Sequence, residues 1–392
     1  MEKRDGPLAG LRVVEFTGIG PVPYAAMLLA DLGAEVIRID RPGGYPALGA
    51  DLDFASMRAA SIFYRSRPLV EVDLKAAAGR DLVCRLVSRS DALIEGYRPG
   101  AMERLGLGPR ECHALAPRLA YVRVTGWGQD GPMAGMAGHD LNYLGLSGVL
   151  SRFGRDGAPP VGMPPLMGDM AAGALFAVIG LLSAVMQARE TGRGQVVDAN
   201  IVDGSASLAT LLDALGAMGL HGPAGNNPLD GGRHYYRTYL CGDGRWLVVG
   251  AIEPAFRRIL LDGLGLSDEP IFASMDPADD AACAQRMAAI FATRPRDHWV
   301  ALFHGTDGCV TPVLEPAEAQ THPANVARGV FAEIDSVVQA APAPRIGGKA
   351  GRVSMTPAEA SVPRPQALEG WGIGADEIAR LVADGVLGAG SG

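Results

Sequence analysis

His139 stands in a setting that favours proton transfer. It follows a loop rich in glycine and proline and precedes an apolar run, residues 141–150, that predicts a helix. An imidazole there could act as a general base near neutral pH, and backbone amides at the helix start could stabilise an oxyanion. The neighbouring Asp140 has a simpler interpretation as the cap of that helix.

Two carboxyl groups lie in apolar stretches. Asp169 directly precedes the uncharged residues 170–186, and Glu253 follows the apolar residues 248–252. Burial would raise the pKa of such a carboxyl and make it usable as an acid, base or nucleophile. Asp is also a favoured helix N-cap, so a structural role for Asp169 is equally compatible with the pattern. The sequence has no GxSxG or HExxH motif and no metal-spaced cluster.

The elements that would position these groups begin with a β-α-β pattern. Residues 11–16 and 36–39 predict strands, residues 24–32 predict the helix between them, and Gly33 is its expected C-cap. Further strands are predicted at 69–74, 92–95 and 119–124, with helices at 76–88 and 101–105. Right-handed connections make such strands parallel, so the sequence predicts a doubly wound α/β domain.

Cations follow three of these strands: Arg41, Lys75 and Arg98. Open parallel sheets bind ligands beyond the carboxyl ends of their strands, so these side chains could converge on one phosphorylated ligand. Taken singly, each is more typical of a solvated surface. Residues 18–20 with Asp40 resemble a dinucleotide fingerprint, but Pro21 and Pro23 remove amide donors, which favours a stiff turn under a pocket.

The domain organisation follows from changes in pattern. We expect a large α/β domain over residues 1–200, a linker over 201–235 that includes the Gly/Pro/Asn-rich residues 219–232, and a smaller α+β domain over 236–325. The smaller domain begins with a hairpin that turns at residues 242–244. Residues 326–392 are predicted to return to the large domain.

Composition excludes several classes of protein. The 392 residues carry a net charge of −8 and no basic run, which argues against a nucleic-acid partner. Five cysteines without a CxxC pair fit neither a disulfide framework nor a zinc site and favour the cytoplasm. The single apolar run 170–186 predicts a helix buried on all sides, within the fold or at a subunit contact, and not a membrane span.

Blocks along nearly the whole chain resemble the family III CoA-transferase (CaiB-BaiF) superfamily, which includes the α-methylacyl-CoA racemases. They run in order from GPLAGLRVVEF at residue 6 through VDLK, IEGYRPGAMERLGLG, TGWGQDGP, AGHDLNYLGLSG, MGDMAAG and GRGQVVDANIVDGSA to VGAIEP, which ends at residue 254. The resemblance implies an acyl-CoA thioester as the substrate. Coenzyme A would enter as part of that thioester, with no separate cofactor.

The block around His139 is similar to the racemase branch, because transferases commonly carry an aromatic residue at this position. The resemblance then implies proton transfer at the α-carbon of a 2-methylacyl-CoA. His139, supported by Glu253, would serve one face of that carbon and Asp169 the other, while the amide of Asp140 faces the enolate oxygen. The alternative is a family III CoA-transferase with Asp169 as the acyl-carrying nucleophile.

Further expectations come from the same resemblance. The residues implied to contact coenzyme A are Arg41, Val72, Asp73, Leu74, Lys75, Gly96, Tyr97, Arg98, Arg104, Gly138 and Tyr143. The superfamily implies an interlocked homodimer. The methionines near the site, which include Met136, could form an acyl-binding surface or simply fill the core. The stretch from Gly43 to Ser66 is longer than expected, and Arg67-Pro68 replaces consecutive basic residues, so this loop's contacts with the CoA phosphates are open.

Overall fold

The computed structural model describes residues 5–44, 62–274 and 276–390. The middle of the long stretch between Gly43 and Ser66 therefore lies outside the described residues. The chain divides into two compact units. Unit 1 comprises Met1–Ser147, Met163–Leu208 and Gly329–Gly392, and unit 2 comprises Gly148–Gly162 and Ala209–Arg328.

Unit 1 is built on a six-stranded sheet in the order β3-β2-β1-β4-β5-β6. Its strands are β1 (Arg12–Phe16), β2 (Glu35–Asp40), β3 (Leu69–Glu71), β4 (Ala92–Glu95), β5 (Ala120–Thr125) and β6 (Val196–Asn200). All neighbouring pairs are parallel. This is the strand order of a doubly wound fold: the strands run outward from β1 to β3 on one side and from β4 to β6 on the other. The order confirms the predicted fold class.

Helices cover both faces of this sheet. Up to residue 208 they are α1 (Pro21–Asp31), α2 (Ala77–Val87), α3 (Ala101–Arg104), α4 (Pro109–Leu115), α5 (Asp140–Leu146), a π-helix (Leu166–Leu175), α6 (Phe176–Thr191) and α7 (Ile201–Leu208). Side chains alternate along β1, so Val13 packs in the core with residues of α1 and α6, whereas Val14 packs in the core with α2. Burial on both faces explains why the strands read as continuous apolar runs.

The apolar run 170–186 lies in a continuous helix, Leu166–Thr191, of 26 residues. Its length and mean hydropathy would suit a membrane span, but a single such helix is weak evidence for one. Leu181 and Ala184 are buried against the sheet, whereas Ile179 and Met186 are 60% and 67% exposed. Within the chain the helix is thus buried on one face only, and burial on all sides would need the subunit contact that was the second predicted setting.

Unit 2 holds a three-stranded antiparallel sheet in the order β7-β8-β9. Its elements are α8 (Thr210–Ala217), β7 (Tyr236–Leu240), β8 (Trp246–Gly250), α9 (Pro254–Leu264), α10 (Asp280–Phe291), α11 (Arg296–Phe303), β9 (Val310–Pro312), α12 (Pro316–Thr321) and α13 (Pro323–Arg328). β7 and β8 form the expected hairpin, with Leu240 opposite Trp246. Leu247, Phe291 and Trp299 lie in its buried core.

The boundaries of the units differ from the predicted ones. Residues 201–217, expected in a linker, form α7 of unit 1 and α8 of unit 2, because their apolar residues recur at helical spacing before the Gly/Pro-rich stretch begins. Residues 148–162, expected in the large domain, belong to unit 2, where Arg152 forms an ion pair with Asp213. A contact between residues so distant in sequence leaves no local pattern.

The C-terminal segment from Gly329 belongs to unit 1. It contains β10 (Phe331–Ile334), β11 (Val337–Ala340), α14 (Pro357–Ala360) and α15 (Ala375–Ala383). Buried arginines hold it in place: the Arg38 guanidinium donates to the carbonyl of Ala360 at 2.7 Å, and that of Arg65 donates to the carbonyl of Ala340 at 2.9 Å.

Candidate active site

A cavity of about 320 Å³ lies beyond the carboxyl ends of β1, β4 and β5. Its wall includes residues that directly follow these strands, namely Ile19 and Gly20 after β1, Gly96 to Arg98 after β4, and Gly126 and Trp127 after β5. The strand order reverses between β1 and β4, and doubly wound sheets bind ligands at that point. His139 and Asp169, predicted separately from sequence, both line this cavity.

His139 is an exposed residue immediately before α5. Its own backbone N–H donates to the Asn142 side-chain oxygen at 3.0 Å, which fixes the backbone where the helix begins. The imidazole is thus carried by a backbone segment that is fixed where α5 begins, at the wall of the cavity.

Asp169 lies in the first turn of the π-helix, not at an N-cap, because the helix begins three residues earlier at Leu166. Burial and the neighbouring charge of Asp140 raise the pKa of Asp169 to about 6. Gly20 faces this carboxyl, and a Cβ atom at Gly20 would lie 2.8 Å from Asp169 Oδ2. Gly20 also has a φ of 73°, so both its backbone and its missing side chain make room for Asp169.

The simpler interpretation of Asp140, as the cap of its own helix, is wrong, because His139 occupies the N-cap position. Asp140 Oδ1 instead accepts the backbone N–H of Asp169 at 2.6 Å, across from the helix that Asp140 begins. The residue is buried, and burial raises the pKa of its carboxyl, while the backbone amides of Asp169 and Gly168 act in the opposite direction. Asp140 therefore connects the element that carries His139 to the element that carries Asp169.

Tyr143 forms an aromatic wall of the cavity with Trp127. Their ring centroids are 4.6 Å apart at an interplanar angle of 84°, and the Tyr143 hydroxyl donates to the carbonyl of Gly138. A Cβ atom at Gly126 would lie 2.0 Å from the Tyr143 ring, so a side chain at that position would displace it. Of the residues implied to contact coenzyme A, Gly96, Tyr97, Arg98, Gly138 and Tyr143 line this cavity.

A second cavity, of about 190 Å³, lies beyond β2 and β3. Arg41, Val72, Asp73, Leu74, Lys75 and Tyr97 line it, and Tyr97 also lines the first cavity. The structure thus brings together Arg41 and Lys75, but it places Arg98 at the first cavity and Arg104 at the end of α3, outside the lining of both. The three cations expected to converge on one ligand thus lie at two cavities that share Tyr97.

Glu253 belongs to unit 2. It is exposed and immediately precedes α9, whose first residue is Pro254.

Sequence reasoning missed the network beneath the turn of Tyr97 and Arg98. Glu95 is fully buried at the end of β4. Its Oε2 accepts the Tyr97 N–H at 2.7 Å, and its Oε1 accepts from Arg123 Nε at 3.1 Å. Arg123 also donates to Glu103 of α3 at 2.9 Å. A charged residue inside an otherwise apolar strand was the available signal, since such residues are rarely buried without a partner.

Arg67 settles part of the question about the long loop. Its side chain is fully buried, and its Nε lies 2.6 Å from Glu15 Oε2 on β1. A guanidinium held there cannot reach a phosphate in solvent. The loop residues 45–61 lie outside the described part of the chain.

Comparisons with known proteins agree with this geometry. The sequence model of CoA-transferase family III matches residues 8–370. The chain is 39% identical over 390 residues to alpha-methylacyl-CoA racemase of Homo sapiens, with 97% of both chains covered, and 38% identical to that of Mus musculus over equal shares. It is also 28% identical to acetyl-CoA:oxalate CoA-transferase of Acetobacter aceti, over 88% of this chain and 90% of that one.

Solved structures give the same result for the fold. A CAIB/BAIF family protein from Brucella suis superposes with a TM-score of 0.76 at 25% identity, over 90% of this chain and 96% of that one. Because the family model spans almost the whole chain and the racemase relatives match it nearly end to end, this protein belongs to CoA-transferase family III.

Proposed function

We propose that this chain is an α-methylacyl-CoA racemase, an isomerase that interconverts the (2R) and (2S) epimers of 2-methylacyl-CoA thioesters. The observation that carries the proposal is that the imidazole of His139 and the carboxyl of Asp169, whose pKa is raised to about 6, line one cavity at the point where the strand order reverses. The nearly full-length similarity to two racemases supports the same activity.

The mechanism uses these two groups on opposite faces of the α-carbon. One base takes the α-proton, and the electron pair of the broken C–H bond passes to the thioester oxygen as an enolate. The other group, which is protonated, then delivers its proton to the opposite face. The two groups hold one proton between them before and after turnover, so they must be in opposite protonation states.

The enolate needs hydrogen-bond donors where its charge develops. The backbone amide of Asp140, at the start of α5, is the donor that we assign to the enolate oxygen. The coenzyme A portion would extend to the second cavity, where Arg41 and Lys75 supply positive charge. Since the thioester itself acidifies the α-proton, no cofactor beyond the bound thioester is proposed.

The remaining expectations are proposals of the same kind. We infer a homodimer, and the exposed apolar side chains of α6, among them Ile179 and Met186, are surface that a second subunit could cover. Glu253 would support His139 in the assembled protein. A cytoplasmic location in fatty-acid or other lipid metabolism, with no nucleic-acid or membrane partner, completes the proposal.

The test starts from one pure epimer of a 2-methylacyl-CoA in deuterated water. We expect deuterium to enter the α-position while optical purity falls. His139→Ala and Asp169→Asn should each abolish the fall in optical purity, whereas His304→Ala, at an exposed histidine of unit 2, should leave both changes intact. Retention of both the α-hydrogen and the configuration by the unaltered protein would refute racemase activity.

The second candidate is a CoA-transferase that uses Asp169 as its acyl-carrying nucleophile. The similarity to acetyl-CoA:oxalate CoA-transferase and the open cavity beside Asp169 favour it. It predicts acceptor-dependent exchange of coenzyme A, capture of Asp169 by hydroxylamine, and activity that survives His139→Ala. The two candidates thus differ most clearly in their response to loss of the imidazole.

A further inference from the structure

The carboxylate of Asp140 lies between the two elements that carry the proposed bases. Its own backbone follows His139 directly and begins α5. Its Oδ1 accepts the Asp169 N–H at 2.6 Å, and the amide of Gly168 also favours the charged form of this carboxyl. A Cβ atom at Gly168 would lie 2.3 Å from Asp140 Oδ1, so only glycine permits this approach. One side chain thus links the two segments that carry the proposed bases.

The other oxygen of Asp140 has a different environment. Its Oδ2 is buried with no hydrogen-bond partner, and Asp140 as a whole is 8% exposed. Among the residues that the structure describes, no cation forms an ion pair with Asp140 or with Asp169. An asparagine could accept the hydrogen bond from the Asp169 amide without a charge, so this bond alone does not require a carboxylate.

We propose that the side chain of Asp140 is a positioning residue for the racemisation: it holds Asp169 opposite His139 and places a negative charge beside the Asp169 carboxyl. The inference rests on the proposed function and assigns to the Asp140 carboxylate a role separate from that of its backbone amide. A charge close by in a poorly solvated site acts strongly on a neighbouring titration.

The charged and titratable groups around Asp169 come from several elements. Asp140 and Tyr143 approach from α5, His139 precedes that helix, and Gly20 contributes only backbone. Arg98, from the turn after β4, is the cation that lines the same cavity and acts on Tyr143. Burial and the Asp140 charge together raise the pKa of Asp169 to about 6, which brings it into the range where it can exchange a proton with an imidazole.

The pH dependence of kcat/KM tests the charge directly. Both directions of the reaction need one proton on the pair of bases, and the equilibrium constant links the two directions, so both share one bell-shaped profile. The acid limb marks addition of a second proton to the pair. Asp140→Asn keeps the acceptor for the Asp169 amide and removes the charge, so the acid limb should move to lower pH by about half a unit or more.

The matched control is Asp81→Asn, which removes a charge from an exposed position on α2 and should leave the limb unmoved. Gly168→Ala is the second variant. It keeps both carboxylates but displaces the Asp140 carboxylate, so a smaller shift in the same direction is expected. A purely structural role would lower kcat or thermal stability in these variants and leave the acid limb of each in place, which would overturn the proposal.

Carbon-13 NMR of labelled aspartate carboxyls separates this inference from the proposed function. The Asp169 signal is assigned by its loss in Asp169→Asn, and it should titrate at lower pH in Asp140→Asn than in the unaltered protein. This readout needs no activity. If the unaltered protein fails to racemise while this shift is present, the proposed function fails and the role of the Asp140 charge stands; an unshifted signal refutes the charge effect itself.

Discussion

Buried and half-buried carboxylates in unit 1 occur in two contrasting environments. Glu15 on β1 is fully buried and pairs with Arg67 at 2.6 Å, and Asp31 on α1 pairs with Arg65, also at 2.6 Å. Asp140 and Asp169, by contrast, form no ion pair within the described residues. All four carboxylates lie in unit 1, so the difference lies in their local partners.

The paired carboxylates connect segments of the fold, whereas the unpaired ones are suited to proton exchange. The Arg67 guanidinium also donates to the carbonyl of Pro23 at 3.0 Å, which ties the loop before β3 to α1. Such a pair connects segments of the chain. Two neighbouring carboxylates without a cation act differently, because each disfavours ionisation of the other. That arrangement is useful where a carboxyl must gain and lose a proton near neutral pH.

Breaking the structural pair should give the largest effect on stability. Arg67→Met leaves Glu15 buried without its cation, and the loss of one partner from a buried pair costs about 3–5 kcal/mol. We expect chemical denaturation to show a decrease of that size in the free energy of unfolding. Arg118→Met, at an exposed arginine, is the matched control and should change it by less than about 0.5 kcal/mol.

The double variant Glu15→Gln with Arg67→Met checks the cause. If the buried charge is what destabilises the single variant, the double variant should recover part of the loss. A double variant no more stable than Arg67→Met would show that the lost hydrogen bonds of Arg67 to backbone carbonyls, and not the unpaired charge of Glu15, account for the loss.

The doubly wound sheet was predictable because its strands are buried on both faces. Residues 92–95 show this most simply: the predicted strand and β4 coincide. The position of the cavity followed from the same pattern, since parallel strands present their carboxyl ends at one edge. His139 and Asp169 were found because each stands out chemically from its neighbours.

The partners of buried charges were not predictable. Arg67 reads as a surface cation in sequence, and its partner Glu15 lies 52 positions away. The side-chain role of Asp140 was missed for the same reason, because its contact with Asp169 spans 29 positions. Periodicity describes which face of an element is buried, and it says nothing about which distant side chain meets a buried charge.

Glu95 combines features of both environments, because it has an ion-pair partner and yet a raised pKa. It pairs with Arg123, yet burial still raises the pKa of Glu95 to about 7 against the opposing effects of Arg123 and the Tyr97 amide. Glu95→Gln weakens the charge-assisted bonds that fix the turn of Tyr97 and Arg98. We expect KM for the acyl-CoA to rise about tenfold, equivalent to about 1.4 kcal/mol, with kcat changed by less than about threefold.

Steady-state kinetics with one 2-methylacyl-CoA measures this split, and Glu111→Gln on α4 supplies the same acid-to-amide change beside the surface residue Arg110. That control should leave both constants near their original values. A fall in kcat with an unchanged KM would instead place Glu95 in the proton-transfer step and remove it from the binding turn.

The smallest expected effect is on stability, in Asp169→Asn. The folded-state pKa of Asp169 is about 6, above its value of 3.8 in the unfolded chain, so the folded protein binds more protons between these values and loses stability as pH rises through them. Asparagine removes that loss. At pH 8 the variant should be more stable than the unaltered protein by about 1 kcal/mol, a figure reduced for the water that reaches this half-buried side chain.

Unfolding measured from pH 4.5 to pH 8 gives the decisive form of this result. The stability difference should widen as pH rises to about 6 and then stay constant, while Asp81→Asn shows no such trend. The variant that gains stability is also the one expected to lose racemisation, because the carboxyl that destabilises the fold at neutral pH is the one that exchanges the proton. A stability difference that is independent of pH would mean that Asp169 is ionised at the same pH in the folded and unfolded chains. The contrast between the paired and unpaired carboxylates would then have no energetic basis at this site.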